Sequence, residues 1–179
     1  MKLIILDRDG VINHDSDDYI KSPEEWQPID GSLEAIARLY HDGYRIVVVS
    51  NQAGLAKGKF NIEALNAMHG KMHNLLAAYG GVIEAVFFCP HRPEDGCDCR
   101  KPKPGLYLEI TKRLRIKLTG VFAVGDKLSD IQAATAAGAK PVLVRTGYGR
   151  AVEDSGSVPD GVPVFDDLAG FVDRLLQNR

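Results

Sequence analysis

The sequence lacks the long apolar run that a membrane-spanning helix requires. No stretch of its 179 residues approaches the roughly 20 consecutive apolar residues that cross a bilayer. It also lacks a large excess of either charge, because its formal net charge is -2. That balance gives no support to a general nucleic-acid or membrane surface. We therefore expect a soluble protein whose partner is a small molecule, with no nucleic acid and no membrane.

Cysteine is scarce, and its placement is unusual. The chain has 3 cysteines, all between positions 89 and 99. An odd, clustered set makes a poor disulfide framework, which favours a reducing compartment. The chain also enters its first strand pattern at Lys2, which leaves no room for a signal peptide. We expect a cytoplasmic monomer.

Internal repeats and low-complexity tracts are absent, and the length suits one domain over 1–179. Short apolar segments predict strands at 2–6, 45–49, 82–88, 121–125, 141–145 and 162–165. Helical patterns lie between them, one capped by Ser32 and closed by Gly43, the others at 61–79, 104–115, 129–137 and 166–177. This alternation predicts a Rossmann-like α/β fold, a parallel sheet with helices on both faces.

Two carboxylates, Asp7 and Asp9, follow the first predicted strand, and Gly10 allows a sharp turn after them. In open α/β sheets, ligands bind at the carboxyl ends of the strands. One acid there could attack or bind a cation while the other moves protons. The alternative is a strand that simply runs into a polar turn, where Asp and Gly are ordinary residues.

Polar residues also follow the other predicted strands. Ser50 and Asn51 follow the second, Arg100 and Lys101 follow the third through a loop, and the segment 125–130 follows the fourth. Three carboxylates (Asp7, Asp9 and Asp126), with a hydroxyl and a lysine, suit Mg²⁺ and a phosphoryl group. The sequence therefore predicts a phosphoryl-transfer site at this edge of the sheet.

The segment 89–99 interrupts the βα pattern and contains every cysteine. Three thiolates and one imidazole, from Cys89, His91, Cys97 and Cys99, make a complete tetrahedral shell for a structural Zn²⁺. The alternative is a loop with adventitious, redox-active thiols. The loop leads into Arg100, Lys101 and Lys103, three cations beside a helix N-terminus, which predicts an anion site.

His69 and His73 lie one helical turn apart, which is a metal-ligand spacing. No third ligand accompanies them, and Met68 and Met72 indicate packing, so we favour a structural role for both. The polar loop 13–29 is long for a mere connection, which indicates a functional loop.

The order of these motifs resembles that of the haloacid dehalogenase (HAD) superfamily of phosphatases. Its pattern reads here as Asp7-Arg8-Asp9-Gly10, Ser50, Lys101 and Gly125-Asp126 to Asp130. The finer pattern LDRDGVIN, SNQAG, CPH…CDCRKPKPG and VGDKLSD resembles one subgroup. That subgroup comprises the heptose 1,7-bisphosphate phosphatases and the histidinol-phosphate phosphatases, both of which carry a zinc loop.

The resemblance implies a role for each matching residue. Asp7 would be the nucleophile that becomes an aspartyl phosphate, and Asp9 the acid/base. Mg²⁺ would bind Asp7, the Asp9 backbone carbonyl and Asp126, with Asp130 behind them, while Ser50 and Lys101 hold the phosphoryl group. Substrate would be read by residues in three places, namely Asp15 to Tyr19, Asn51-Gln52-Ala53, and Arg100 with Lys127. Two features depart from the heptose enzymes. Ser50 and Ala53 stand where those enzymes often have Thr and Ser, and the run Asp15 to Asp18 is more acidic.

The spacing leaves room only for a minimal cap, so the site should be open and shaped by the loops 13–29, 54–60 and 89–99. The leading expectation is a Mg²⁺-dependent phosphatase that removes the 7-phosphate of D-glycero-D-manno-heptose 1,7-bisphosphate, in lipopolysaccharide-heptose synthesis. Histidinol phosphate, or a broader set of phosphomonoesters, is the alternative. A non-enzymatic phosphoryl-accepting receiver domain would lack the acid/base Asp9, and a zinc-organised interaction module would leave the 125–130 motif unexplained.

Overall fold

The computed structural model describes residues 2–177, which form a six-stranded parallel sheet with helices on both faces. The strands are β1 (Lys2–Leu6), β2 (Tyr44–Asn51), β3 (Ala85–Cys89), β4 (Phe122–Gly125), β5 (Lys140–Val144) and β6 (Val164–Phe165). Their order across the sheet is β3-β2-β1-β4-β5-β6, and every neighbouring pair is parallel. The α/β architecture predicted from the sequence is confirmed.

The strands are mostly apolar because both faces of the sheet are covered. In β1, Ile4 and Leu6 belong to one core, while Leu3 and Ile5 belong to the core on the opposite face. The helices are α1 (Ser32–His41), α2 (Ile62–Ala78), α3 (Gly105–Leu114), α4 (Leu128–Ala136), α5 (Gly149–Asp154) and α6 (Leu168–Gln177). The first core contains residues of α1, α2 and α6, and the second contains residues of α3 and α4.

Most predicted elements differ from the observed ones by one to three residues at an end, and three differences have a clear physical reason. The N-cap of α1 is Gly31, with a φ of 79°, because the Ser32 hydroxyl donates instead to the Val11 carbonyl at 2.9 Å. Strand β3 begins at Ala85 rather than at Val82, which is 48% exposed and outside the core. The short helix α5 was not predicted, because six residues with no side-chain cap carry little periodic signal.

The strand order reverses at β1, which lies between β2 and β4. A crevice opens at such a switch point, beyond the carboxyl ends of the strands, and it is where open α/β sheets bind ligands. The Asp7 amide donates to the Val124 carbonyl at 2.9 Å, which ties the end of β1 to the end of β4. The topology therefore brings Asp7 close to the residues that follow β4.

Within residues 2–177, no helix is both long enough and apolar enough to cross a membrane.

Candidate active site

Three buried carboxylates meet at the switch point. Asp7, Asp126 and Asp130 each offer an oxygen, and these oxygens lie within 4.8 Å of one another. Two glycines, Gly10 and Gly147, make the close approach possible, because a Cβ at either position would collide with the Asp126 carboxylate. The sequence predicts the acids and a turn at Gly10, but it does not single out Gly147, whose role appears only in the packing.

The electrostatics of this cluster favour a cation. Burial raises the pKa of Asp7 to about 6 despite the neighbouring Lys101. Burial also raises the pKa of Asp126 to about 8 despite Lys127. The carboxylates are thus held close together away from water, where ionised acids are costly unless they are paired. A set of hard oxygen donors fits Mg²⁺, which is bound by few carboxylates together with water and phosphate oxygens.

The Lys101 ammonium group is buried beside the cluster. Its Nζ lies 3.0 Å from Asp7 Oδ1 and 2.6 Å from Asp130 Oδ1, and it donates to the Val49 carbonyl at 2.8 Å. Burial alone would lower the pKa of Lys101, but the two carboxylates raise it, so the side chain carries a positive charge. Asn51 fixes the backbone of Lys101 through two 3.1 Å hydrogen bonds. The Asn51 side chain, which the sequence predicts to contact substrate, therefore holds the backbone of Lys101.

Asp130 organises the start of α4. Its Oδ2 accepts from the backbone amides of Asp126, at 3.1 Å, and of Lys127, at 3.0 Å. The Lys127 ammonium group lies 2.9 Å from Asp15 Oδ2 and 3.2 Å from Asp126 Oδ1. Lys127 therefore joins the long loop 13–29 to the carboxylate cluster, which the resemblance alone did not show.

Asp9 lies apart from the cluster, because other side chains hold its carboxylate. Arg8 donates to both Asp9 oxygens, Asn13 Nδ2 donates to Oδ1 at 2.9 Å, and Gln52 Nε2 donates to Oδ2 at 3.0 Å. Burial raises the pKa of Asp9, but Arg8 and the other donors outweigh it and lower the pKa overall. Gln52 Nε2 also donates to the buried Ser50 hydroxyl at 2.8 Å.

A cleft of about 480 Å³ is lined by several of these residues, including Asp7, Asp9, Lys101 and Asp130. The predicted substrate-reading residues all line it, namely Asp15, Tyr19, Asn51, Gln52, Ala53, Arg100 and Lys127. Arg100 has a buried Nη1 with no hydrogen-bond partner in the part of the chain that the structure describes. Further lining residues that the sequence did not single out include Lys57 and Tyr148. Tyr148 comes from the loop after β5, so four loops rather than three shape the cleft.

The Cys/His loop forms a second cluster beside the cleft. Cys89 Sγ lies 3.1 Å from Cys99 Sγ, 3.6 Å from Cys97 Sγ and 3.5 Å from His91 Nδ1. Thiolates bound to tetrahedral zinc at about 2.3 Å would lie about 3.7 Å apart, so these four residues fit that metal. Burial raises the pKa of Cys89 to about 12, and none of the three thiols forms a disulfide.

The Cys/His loop is followed directly by the three cations that the sequence predicts to form an anion site. Arg100 and Lys101 line the cleft, but Lys103 Nζ donates to the Cys97 carbonyl at 2.8 Å. The prediction that all three cations form an anion site is therefore wrong for Lys103, whose ammonium group is needed inside the loop. Arg92 donates to the Ala56 carbonyl at 3.1 and 2.8 Å, which ties the Cys/His loop to the segment that carries Lys57.

His69 and His73 take part in neither candidate metal group among the described residues. His69 Nε2 lies 3.2 Å from Arg8 Nη1, and His73 is exposed. The sequence favours packing over a metal site for this pair, and that interpretation stays a prediction.

Comparison with known proteins agrees with this geometry. A HAD-hydrolase-like family model matches residues 98–171. The chain is 55% identical over 177 residues to a Bordetella bronchiseptica protein named D-glycero-beta-D-manno-heptose-1,7-bisphosphate 7-phosphatase, and 99% of each chain is covered. A Pseudomonas aeruginosa protein of the same name is 49% identical, with 98% of each chain covered.

A solved structure gives the same result. The crystal structure of the D,D-heptose 1,7-bisphosphate phosphatase from B. bronchiseptica, complexed with magnesium and phosphate, matches the whole chain with a TM-score of 0.98 and 54% identity. All of that chain is covered as well. The resemblance to the HAD superfamily is confirmed. The chain belongs to the D-glycero-beta-D-manno-heptose-1,7-bisphosphate 7-phosphatase family of HAD-like hydrolases.

Proposed function

We propose that this chain, as a single domain over 1–179, is a Mg²⁺-dependent phosphatase that removes the 7-phosphate of D-glycero-β-D-manno-heptose 1,7-bisphosphate. The observation that carries the proposal is the buried group of Asp7, Asp126 and Asp130 with the Lys101 ammonium group against it. Acids so close together need a cation, and a phosphate dianion needs the positive charge that a cation and a lysine supply.

In the first step an Asp7 carboxylate oxygen attacks phosphorus, and the bond from phosphorus to the sugar oxygen breaks. Asp9 donates a proton to the departing oxygen, so the sugar leaves as an alcohol and Asp7 becomes an aspartyl phosphate. Asp9 is ionised in the free protein because Arg8 and its other donors lower its pKa. The negative charge of an arriving phosphate raises that pKa and favours the protonated form that the step needs.

In the second step a water molecule attacks the phosphorus of the aspartyl phosphate. Asp9, now ionised, takes the proton of the water, and the bond from phosphorus to the Asp7 oxygen breaks. Inorganic phosphate leaves and Asp7 is restored. Lys101 is positively charged and lies 3.0 Å from Asp7 Oδ1, so it can stabilise the transferring group in both steps.

Mg²⁺ would be held by Asp7, the Asp9 backbone carbonyl and Asp126, and when bound it neutralises charge on the phosphoryl oxygens. Asp130 keeps the site in place, since it accepts from the amides of Asp126 and Lys127 and pairs with Lys101. The Cys/His loop would hold a structural Zn²⁺ with all four positions filled, so that ion would not activate water.

Charged side chains that line the cleft favour a bisphosphate over a monophosphate. Lys57 and Arg100 line the cleft, and the buried Arg100 Nη1 has no hydrogen-bond partner among residues 2–177. A guanidinium nitrogen in such a place is well suited to a second phosphate group. Asp15 and Asp17, which also line the cleft, can accept hydrogen bonds from sugar hydroxyls.

Histidinol phosphate is the alternative substrate, because the carboxylate of Asp17, which lines the cleft, would suit its ammonium group. Side-by-side turnover of the two compounds decides between them. We expect kcat/KM at least a hundredfold higher for the heptose bisphosphate, since the amine offers nothing to Lys57 and Arg100. A higher kcat/KM for histidinol phosphate would replace the proposed substrate. We further propose that the protein acts in the cytoplasm as a monomer.

Mg²⁺ should stabilise the fold. The pKa values of Asp7 and Asp126 are raised from 3.8, to about 6 and about 8. The folded protein therefore holds protons that the unfolded chain releases, and without metal its stability falls as pH rises through this window. Mg²⁺ replaces those protons. At a hundredfold its Kd it would add about 2.7 kcal/mol, or roughly 5 to 10 °C in Tm.

Thermal unfolding at pH 8 with and without Mg²⁺ measures this effect. The shift should shrink at pH 5, where protons compete with the metal for the carboxylates. Asp126→Asn should abolish the shift at either pH, because it removes a ligand and the charge. A wild-type Tm that does not respond to Mg²⁺ at pH 8 would contradict the proposed metal site.

A further inference from the structure

The acid/base candidate Asp9 is held by a guanidinium group that is itself completely buried. Arg8 is 0% exposed. Its Nε and Nη2 donate to Asp9 Oδ1 at 3.0 and 2.8 Å, and Nη2 also donates to Oδ2 at 3.1 Å. The planar fork of an arginine fixes the direction of a carboxylate as well as its distance. The orientation of Asp9 therefore depends on what holds Arg8.

The remaining nitrogen of that fork contacts a residue far away in the sequence. Arg8 Nη1 lies 3.2 Å from His69 Nε2 on α2. Arginine has donors and no acceptor, so His69 Nε2 must be unprotonated and accept, with the ring proton on Nδ1. Burial, followed by Arg8 and His73, lowers the pKa of His69 to about 4, which keeps the ring neutral as this contact requires.

We propose that His69 is a positioning residue, which fixes the Arg8 guanidinium group and through it the direction of the Asp9 carboxylate. The inference rests on the acid/base role proposed for Asp9. Asn13 and Gln52 also hold the Asp9 oxygens, so loss of the His69 contact loosens the carboxylate without releasing it.

The step most sensitive to this loosening is protonation of the leaving group. As the Asp7 oxygen bonds to phosphorus, the bond to the sugar oxygen breaks, and that oxygen takes the proton of Asp9. A sugar alkoxide is a poor leaving group, so it needs this proton in the transition state. A nitrophenolate leaves readily without it. A comparison of substrates with these two leaving groups therefore distinguishes a positioning role of His69 from a purely structural one.

The test compares three variants on the heptose bisphosphate and on p-nitrophenyl phosphate. In His69→Asn the side chain is too short to reach Arg8, whereas in His69→Gln the amide oxygen can take the place of Nε2. His73→Asn lies one turn along the same helix, is exposed, and controls for the cost of asparagine in α2. The measured quantity is kcat/KM, which covers steps up to the first phosphoryl transfer.

We expect His69→Asn to lower kcat/KM about tenfold on the sugar phosphate and less than twofold on the aryl phosphate, because a small misplacement of a catalytic group is costly. His69→Gln should recover most of the loss, and His73→Asn should match wild type. Equal losses on both substrates, or a His69→Asn variant that matches His73→Asn, would overturn the inference.

The wild-type enzyme tests the proposed function separately. If it prefers histidinol phosphate, the proposed substrate fails. The comparison among variants can then be made on that alkyl phosphate, whose leaving group also needs a proton. The inference is therefore tested by how much more kcat/KM falls on the alkyl phosphate than on the aryl phosphate, whatever the natural substrate is.

Discussion

Asp7→Asn should reduce phosphate release below about 0.1% of wild type, because an amide cannot form the aspartyl phosphate and is a weaker ligand for Mg²⁺. The fold should survive the change. Burial already disfavours the charged form of this side chain and raises its pKa to about 6, so a neutral isostere suits the site. Lys101 keeps its contacts with Asp130 and with the Val49 carbonyl.

Phosphate release and thermal unfolding, measured on the same preparation, check this prediction. Asp173→Asn is the matched control, because Asp173 is exposed on α6, does not line the cleft and pairs with Arg38. The control should retain full turnover. Turnover of a few per cent in Asp7→Asn, beyond contamination and deamidation back to Asp, would remove Asp7 from the nucleophile's role.

The sheet was predictable because its strands are buried on both faces. Runs such as Ile46–Val49 are apolar without alternation, and they are separated by amphipathic helices with clear ends. The strand order was not predictable in the same way. Reversal at β1 is a property of the whole topology, and no local pattern in the sequence states which strands become neighbours.

The site was predictable where the chemistry depends on residue type. Asp7, Lys101 and Asp126 were expected together, and the structure places them together. The supporting contacts were not predictable, because they join distant segments through particular atoms. The contact of His69 with Arg8 spans 61 positions, and the hydrogen bonds of Asn51 to the Lys101 backbone span 50. Such contacts have no periodic signal.

The Cys/His loop combines a feature that the sequence predicts, its zinc ligands, with contacts that the sequence does not predict. Three cysteines and a histidine predict zinc from the sequence alone. The role of the loop in positioning the cations of the cleft is seen only from its contacts in the structure. Cys99 is followed directly by Arg100 and Lys101 in the cleft, and Arg92 holds the carbonyl of Ala56 beside Lys57. The loop therefore touches both walls of the cleft and can set the positions of their cations.

Purified protein should contain one Zn²⁺ per chain by elemental analysis, and Cys97→Ser should lose it. A loop of this length with no core of its own loses order without its metal. Activity should then fall about a hundredfold, since Arg100 and Lys101 shift and a misplacement of about 1 Å can have that effect. The sheet and the Mg²⁺-dependent rise in Tm should persist, because Asp7 and Asp126 take no ligand from the loop.

Asp98→Ser provides the matched control one residue away. The Asp98 side chain is fully exposed, and its ion pair with Lys103 is long, at 3.4 Å, so the variant should keep both its zinc and its turnover. A wild-type protein without zinc, or a Cys97→Ser variant with unchanged kinetics, would refute the idea that this loop positions the phosphate-binding cations. Loss of the Mg²⁺-dependent Tm shift in Cys97→Ser would show instead that the two metal sites depend on each other. The separation between the carboxylate cluster and the thiol cluster argues against that dependence, because the two sites share no residue.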